Sequence, residues 1–348
     1  MKTFRIALLP GDGIGPDVVA AGVDVLRAVE TRLDGVAFEL EEFSVGANEY
    51  LRSGDPLPSA VLERLPGFDA ILLGAMGLPG VRWPGGVEMT PQLDLRERLD
   101  LYCGLRPIFL YHPEDSPLRD KAAGAIDFVL VRESTEGLFY SRKNRPDPHA
   151  DSVDDTMRIT RHGAERVIRA AFREALERRK RLTLVDKANV LPSMAFFRQV
   201  FCEVAREYPA VETECVYVDA AALYLVQRPE SFDVLVTENM FGDILSDLAA
   251  GLVGGMGMAP SADIGERYAV FQPSHGSAPD IAGKGIANPV ATILSVAMML
   301  DWLKVEDGAR AIRAAVQKVF RGRKARTRDM GGALTTSEMT ETIVSALS

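Results

Sequence analysis

Short apolar runs that end in glycine, proline or a charged residue alternate along this chain with longer stretches of helical spacing. That alternation limits the possible folds more than any other feature. Phe4–Leu9, Ala70–Gly74, Ile126–Val131, Leu182–Val190 and Phe232–Thr237 have the length and hydrophobicity of buried strands. Val36, Phe38 and Leu40 alternate with Glu39 and Glu41, the pattern of a strand with one wet face. After the first run, Val19, Val23 and Leu26 share a helical face, and Gly163–Lys180 does the same with Val167, Ala171 and Leu176. Further helices are expected through Met298 and Leu300, over Gly308–Phe320, and after Thr335, with caps from the Ser337/Thr340 region. The fold class implied is α/β.

A length of 348 residues predicts about two domains. With 47% hydrophobic and 26% charged residues, the chain can bury a sizeable core. The net charge of −9 and the lack of a polybasic run argue against nucleic acid or a membrane surface as partner. The most apolar stretch, Val290–Leu300, is too short to cross a bilayer. Phe4–Leu9 follows the first residues directly, so no signal peptide is expected. Cys103, Cys202 and Cys215 are odd in number and widely spaced, which fits a reducing, cytoplasmic compartment and no structural zinc.

The stretch Thr237–Met258 carries the strongest chemical signal. Asp243 and Asp247 are four residues apart among Ile244, Leu245, Leu248 and Leu252, so on a helix both carboxylates share one face. Without a cation they repel; with Mg²⁺ they become two oxygen ligands on a rigid support. A solvated acidic face followed by the Gly254–Gly257 turn is the alternative. Pro10–Pro16 is a glycine-rich loop at a strand end, a candidate phosphate cradle that departs from GxGxxG at Pro16. Arg96 falls in a helical segment, Arg106 at a strand start and Arg132 at a strand end. Together they read as a clamp for a di- or tricarboxylate, or separately as structural ion pairs. Lys187 and Asn189 follow one strand, Asp219 ends another, and Val270–Pro289 reads as a long punctuated loop. Ser141–Asp155 is polar and aperiodic: a loop, a hairpin or an arm.

Eight segments in order resemble the β-decarboxylating dehydrogenases, which act on isopropylmalate, isocitrate, homoisocitrate, and tartrate or D-malate. They are Leu9–Pro16, Leu95-Arg96, Leu105–Pro107, Val131–Glu133, Asp186–Val190, Tyr217–Asp219, Asn239–Asp247 and His275–Gly283. The likeness spans essentially the whole chain and is strongest, by motif, to the isopropylmalate enzymes. It implies a non-Rossmann fold of two domains sharing a central sheet. Residues 1–101 plus 254–348 would form the large cofactor domain. Residues 102–253 would form the small substrate and dimerisation domain, with an arm near 141–155. It also implies a homodimer with shared active sites, Lys187 and Asp219 crossing from the other subunit.

The chemistry implied is metal-assisted oxidation of a 3-substituted malate, with decarboxylation. Asp219, Asp243 and Asp247 would hold Mg²⁺ or Mn²⁺. Arg96, Arg106 and Arg132 would hold carboxylates. Lys187 and Asp219 would serve as base. Thr90, Gln92, Leu93, Asn189 and Val190 would line the substrate, and their mixed character leaves 3-isopropylmalate ahead of tartrate, D-malate and isocitrate. Gly74, Gln272, His275, Gly276, Ser277, Ala278, Asp280, Ile281 and Asn288 would bind the nicotinamide cofactor. Asp280 favours NAD over NADP, because a carboxylate accepts ribose hydroxyls and repels a 2′-phosphate.

Two positions depart from the family pattern. Phe139 stands where a proton-donating tyrosine is usual, with Tyr140 beside it; Gln272 stands where an acid is usual. If the segment is a strand, Tyr140 points away from the site. A non-catalytic ligand-binding subunit is therefore a rival reading. A metal-dependent hydrolase is another, but His112, His149, His162 and His275 are scattered.

Overall fold

The computed structural model describes residues 2–144 and 149–347. Ten strands form one sheet: β1 (Lys2–Gly11), β2 (Val36–Glu42), β3 (Ala70–Ala75), β4 (Cys103–Phe109), β5 (Asp127–Glu133), β6 (Arg181–Asp186), β7 (Glu212–Tyr217), β8 (Val234–Thr237), β9 (Pro260–Ile264) and β10 (Ala269–Pro273). Their spatial order is β2-β1-β3-β10-β9-β4-β5-β8-β6-β7. The outer strands on each side run parallel to their neighbours, whereas β10, β9, β4 and β5 form an antiparallel centre. This order is not that of a dinucleotide-binding doubly wound sheet. β3 and β8 are buried along their whole length, which explains their unbroken apolar sequences.

The helices among the described residues are α1 (Gly15–Glu30), α2 (Ala47–Ser53), α3 (Ser59–Arg64), α4 (Pro91–Arg98), α5 (Arg161–Leu176), α6 (Pro192–Ala205), α7 (Val218–Gln227), α8 (Asn239–Gly251), α9 (Val290–Trp302), α10 (Glu306–Arg321) and α11 (Thr336–Ala346). Leu26 and Val29 of α1, Ile293 and Leu300 of α9, Ile312 and Phe320 of α10 and Ile343 of α11 pack on Ile6 and Leu72 as one core. Val167 and Phe172 of α5 and Phe197 and Phe201 of α6 cover one face of the other half, with Leu184 and Val236. Its opposite face holds Leu245 and Ala249 of α8 and Leu252 just after it, with Ala221 and Leu225 of α7.

Several local expectations shift. Arg106 lies in the middle of β4, where its side chain enters the interior. Asp219 sits in the first turn of α7, since the chain turns helical one residue after Tyr217. Residues 269–273 form β10, so the long loop starts only at Ser274. The cap of α11 is Thr335, whose hydroxyl accepts from Glu338 N while Glu338 reaches back to Thr335 N at 2.8 Å. α5 starts at Arg161 and stops at Leu176.

The glycine loop 11–15 approaches protein, not an open cradle. A Cβ on Gly13 would lie 1.9 Å from the Ser277 carbonyl oxygen, and Ile14 N donates to that oxygen at 2.8 Å. Asp12, fully buried, accepts from Ala47 N, Asn48 N and Gly77 N at 2.7, 2.9 and 2.7 Å. The loop thus fixes the segment after β10 against the end of β3. Residues 138–143 form a 3₁₀ helix, not a strand. Ser141 Oγ donates to Thr156 O at 3.2 Å and accepts from Thr156 N at 2.7 Å, closing the base of the excursion expected as an arm. Residues 145–148 of that expected arm lie outside the described residues.

Candidate active site

At the seam where β9 pairs with β4, a cleft of about 250 Å³ opens. Arg96, Arg106 and Arg132 reach it from α4, β4 and β5, which follow one another along the chain. Pro91 at the first position of α4 presets the helical φ, and Leu95 and Leu99 bury in the core below; Arg96, one residue on and turned about 100° from Leu95, is held at the cleft. Arg132 lies across α8. A Cβ on Gly242 would fall 2.6 Å from Arg132 Cγ, so the glycine makes room for the guanidinium to pass. Its Nε and Nη2 donate to Asn239 Oδ1 at 2.9 and 2.6 Å, and Nη1 pairs with Asp243. Burial, with the charge of Arg96, brings the Arg132 pKa down to about 10 against the pull of Asp243.

Asp243 and Asp247 both line the cleft from one face of α8. Burial, then the neighbouring Asp243 charge, raises the Asp247 pKa. The helix that carries them is capped by Glu238, which accepts from Phe241 N at 2.7 Å, and is anchored by fully buried Leu245 and Ala249. Two oxygen ligands on a rigid turn suit a hard divalent cation that keeps its remaining positions for water and substrate. Among the described residues, no three His, Cys, Asp or Glu side chains of one chain converge in this way.

The structure does not bring Lys187 and Asp219 to this cleft. They pair with each other at 2.5 Å, with side chains 26% and 68% exposed, and neither lines the cavity. The Lys187 hydrogen bond holds the Asp219 carboxyl below its ordinary pKa. Asn189 and Val190 are exposed nearby. Gln92 and Leu93 do line the cleft, whereas Thr90 precedes α4 and its hydroxyl accepts from Arg142 at 3.5 Å. Phe139 lines it too, with the Arg132 guanidinium 5.2 Å from its ring centre. Tyr140 turns outward, half-exposed, under the guanidinium of Arg158 at 5.0 Å.

Of the residues assigned to a cofactor, Gly74, Gln272, His275 and Gly276 line the cleft. Ser277 Oγ donates to Gly77 O at 2.5 Å; Ala278 has a φ of +37° and packs with Ile281 on Ile14 and Val18. Asp280 is exposed, and Asn288 Nδ2 donates to Asp329 at 3.0 Å. Burial lowers the His275 pKa, keeping its ring neutral. Gln92 Oε1, Ser261 Oγ, Ser274 Oγ and His275 Nε2 are buried with no partner, and all four belong to cleft-lining residues. Buried polar atoms normally have partners, so this concentration of orphans marks where a polar ligand fits.

A family profile described as isocitrate/isopropylmalate dehydrogenase matches residues 5–343. The chain belongs to that family. It is 47% identical over 327 residues to the 3-isopropylmalate dehydrogenase of Moorella thermoacetica, covering 91% of this chain and 90% of the relative. It is 44% identical over 346 residues to the isocitrate/homoisocitrate dehydrogenase of Thermus thermophilus, covering 99% and 98%. The crystal structure of isocitrate dehydrogenase from Methylococcus capsulatus superposes with a TM-score of 0.89 at 39% identity, covering 99% of both chains. This family member is therefore a dehydrogenase, with the family's fold.

One buried group of the family member's site was not anticipated. Asp263 of β9 accepts from Arg96 Nε at 2.8 Å, from Arg106 Nη2 at 3.3 Å and from Gln272 Nε2 at 2.6 Å. The available sequence signal was Gln272 itself, a neutral side chain where the family pattern has an acid.

Proposed function

We propose that the protein oxidises the 2-hydroxyl of a 3-substituted malate with NAD and then releases CO₂, with 3-isopropylmalate as the best candidate substrate. The convergence of three guanidiniums on a small cleft walled by Leu93 and Phe139 carries this reading. Two arginine-held carboxylates and one apolar substituent match that mixture. The name of the Moorella thermoacetica relative supports the isopropyl substituent; that of the Thermus thermophilus relative keeps isocitrate as the alternative.

Arg96, Arg106 and Arg132 orient the substrate carboxylates and keep the hydroxyl-bearing carbon at the cleft floor. Asp243 and Asp247, with Asp219 of a second copy, would hold a divalent cation, which would supply Lewis acidity toward the hydroxyl and its neighbouring carboxylate. Lys187 of the same second copy is placed to take the hydroxyl proton, and Gly74 and His275–Asp280 would seat a nicotinamide, whose chemistry is to accept a hydride. Loss of CO₂ leaves an enolate that Phe139 cannot protonate.

Exposed apolar side chains support the reading of a second copy. Val190, Tyr217, Leu223, Val226 and Ile244 are large apolar side chains left exposed on and beside α7 and α8. Leu223 and Val226 share α7 with Asp219; Tyr217 and Val190 lie close in sequence to Asp219 and Lys187, and Ile244 follows Asp243 on α8, so a homodimer covering them would join the two half-sites. On this reading residues 1–101 with 254–348, and residues 102–253, act as two domains that close across the β9–β4 seam, in the cytoplasm.

NADH absorbance with Mn²⁺ tests the reading across 3-isopropylmalate, another 3-alkylmalate, tartrate, D-malate and isocitrate. The highest kcat/KM is expected for 3-isopropylmalate with NAD. A strong preference for isocitrate overturns the apolar-pocket assignment, and a preference for NADP overturns the role of Asp280.

A further inference from the structure

Asp263 is 1% exposed, and its carboxylate is the meeting point of both sheet halves. β9 lies between β10 and β4, with Asp263 opposite Val270 on one side and Gly104 on the other. Gln272 is opposite Ser261, two residues along, so its side chain shares the face of Asp263. The space for the carboxylate is left by Gly104: a Cβ there would sit 3.1 Å from Asp263 Oδ1 and 2.7 Å from Ser134 Oγ. Arg96 comes from α4 in one half and Arg106 from β4 in the other, and Asp263 binds an N–H edge of each. Arg106 spends a further N–H on the carbonyls of Ala262 and Leu105, at 3.2 and 3.0 Å. Arg132 has no bond to Asp263 and turns instead to Asn239 and Asp243.

The charge balance gives this arrangement a consequence. Arg96, Arg106 and Arg132 contribute three positive charges; Asp243, Asp247 and Asp263 contribute three negative ones. Burial alone would raise the Asp263 pKa, but Arg96, Arg106 and Arg132 hold it below the ordinary value, so the group is ionised at neutral pH. Lys187 and Asp219 of the proposed second copy add one charge of each sign, so these groups sum to zero without a divalent cation and to two positive charges with one. A substrate with two carboxylates balances them. A third carboxylate leaves an uncompensated charge in a desolvated cleft and competes with Asp263 for guanidinium edges already taken.

We propose that Asp263 is a positioning and specificity residue: by occupying one edge each of Arg96 and Arg106 it restricts the clamp to dianionic malates with an uncharged 3-substituent. This rests on the reading of the cleft as a hydroxy-acid site. Asp263 touches no substrate in this role; it acts through the two arginines.

The decisive measurement is the ratio of kcat/KM for isocitrate to that for 3-isopropylmalate, with calorimetric binding of tricarballylate (a trianion) and an alkylsuccinate (a dianion) alongside. Asp263→Asn keeps the shape and removes the charge. It should raise the isocitrate ratio at least tenfold, mainly through KM, and tighten tricarballylate relative to alkylsuccinate by a similar factor. Adding Gln272→Glu to Asp263→Asn returns a carboxylate next door and should reverse most of the shift. If Asp263→Asn does not fold, Gln272→Glu alone keeps the idea testable, because a second negative charge should lower the isocitrate ratio at least tenfold. Equal losses for all substrates, or a ratio that Gln272→Glu fails to move, overturn the proposal. If no hydroxy acid is oxidised yet the two inhibitors separate by charge as described, the catalytic reading fails and the specificity role of Asp263 stands.

Discussion

The arginine cleft and the Lys187–Asp219 corner are two charged regions built on opposite principles. Arg96, Arg106 and Asp263 are 7%, 5% and 1% exposed and come from three elements of a single chain. Lys187 and Asp219 are 26% and 68% exposed and pair across one loop and one helix start. Leaving one member of a buried set uncompensated costs several kcal/mol, so that geometry is complete before anything binds. An exposed ion pair is screened by water and exchanges partners readily. A catalytic clamp profits from the first property; in the proposed homodimer, Lys187 and Asp219 would profit from the second by exchanging each other for groups of the other subunit. The apolar side chains exposed around the second region point the same way, because single-chain burial leaves them unused.

The largest expected effect breaks this comparison at its centre. Lys187→Ala and Asp247→Asn homodimers should each lose roughly 10³-fold in kcat, since a misplaced proton acceptor or a lost Lewis-acid ligand removes several kcal/mol of transition-state stabilisation. Both should keep the wild-type melting temperature to within a few degrees, because neither side chain is in a core. Co-expressed chains that pair as heterodimers unite a wild-type Lys187 with a wild-type Asp247 in one of two sites. Activity of the mixed dimer should return to about half of wild type. Recovery no greater than the sum of the two homodimers would place both residues in a site made by one chain.

A smaller effect sharpens what the cleft lacks. Phe139 packs on Arg132 inside the cleft, and Tyr140 stacks on Arg158 outside it. General acids typically contribute about 10²–10⁴-fold to the step they serve. Phe139→Tyr should therefore speed CO₂ release or enolate protonation by about tenfold or more, raising the ratio of CO₂ to NADH where hydride transfer runs ahead. Tyr140→Phe should change turnover by less than about twofold. Loss of product formation in Tyr140→Phe, with folding and cofactor binding intact, would make Tyr140 the acid.

The parts of this molecule that were legible in the sequence are those governed by local periodicity. α8 was readable because Leu245 and Leu252 repeat at helical spacing while Asp243 and Asp247 share the other face. β3 was readable because a fully buried strand is an unbroken apolar run. Asp263 was not, because its meaning comes from β9 lying between β10 and β4, and no local pattern encodes a long-range antiparallel register. The 3₁₀ turn at Leu138–Lys143, for which a strand was considered only as a condition on Tyr140, was not legible for a related reason. Arg142 ties that segment to Asp94 and Glu97 of α4, both at 2.7 Å, and this tertiary pairing overrides the apolar pair Leu138-Phe139. The glycine loop was misread because glycines that admit a protein carbonyl and glycines that admit a phosphate look alike in one dimension.

The smallest effect asks whether the cleft half is as insulated from pH as its buried ion pairs imply. Glu133, adjacent to Arg132 and 1% exposed, accepts from Thr135 N at 2.8 Å, from Thr135 Oγ1 at 2.6 Å and from Glu136 N at 2.6 Å, holding the turn that leads to Phe139. Burial pushes its pKa up to about 7, with the Glu136 charge adding to the rise and the hydrogen bonds opposing it. The folded state then keeps a proton that the unfolded chain releases near its ordinary value of 4.5. Its contribution is full below that value, falls as the pH rises to about 7, and is constant above. Glu133→Gln removes the titration but turns an amide N–H toward a backbone donor, which costs about 1–3 kcal/mol at every pH. The variant should melt below the wild type throughout, and the gap should narrow by a few degrees between pH 5 and 7. Parallel melting profiles across that window would mean that Glu133 is ionised in the folded protein, its three donors outweighing burial.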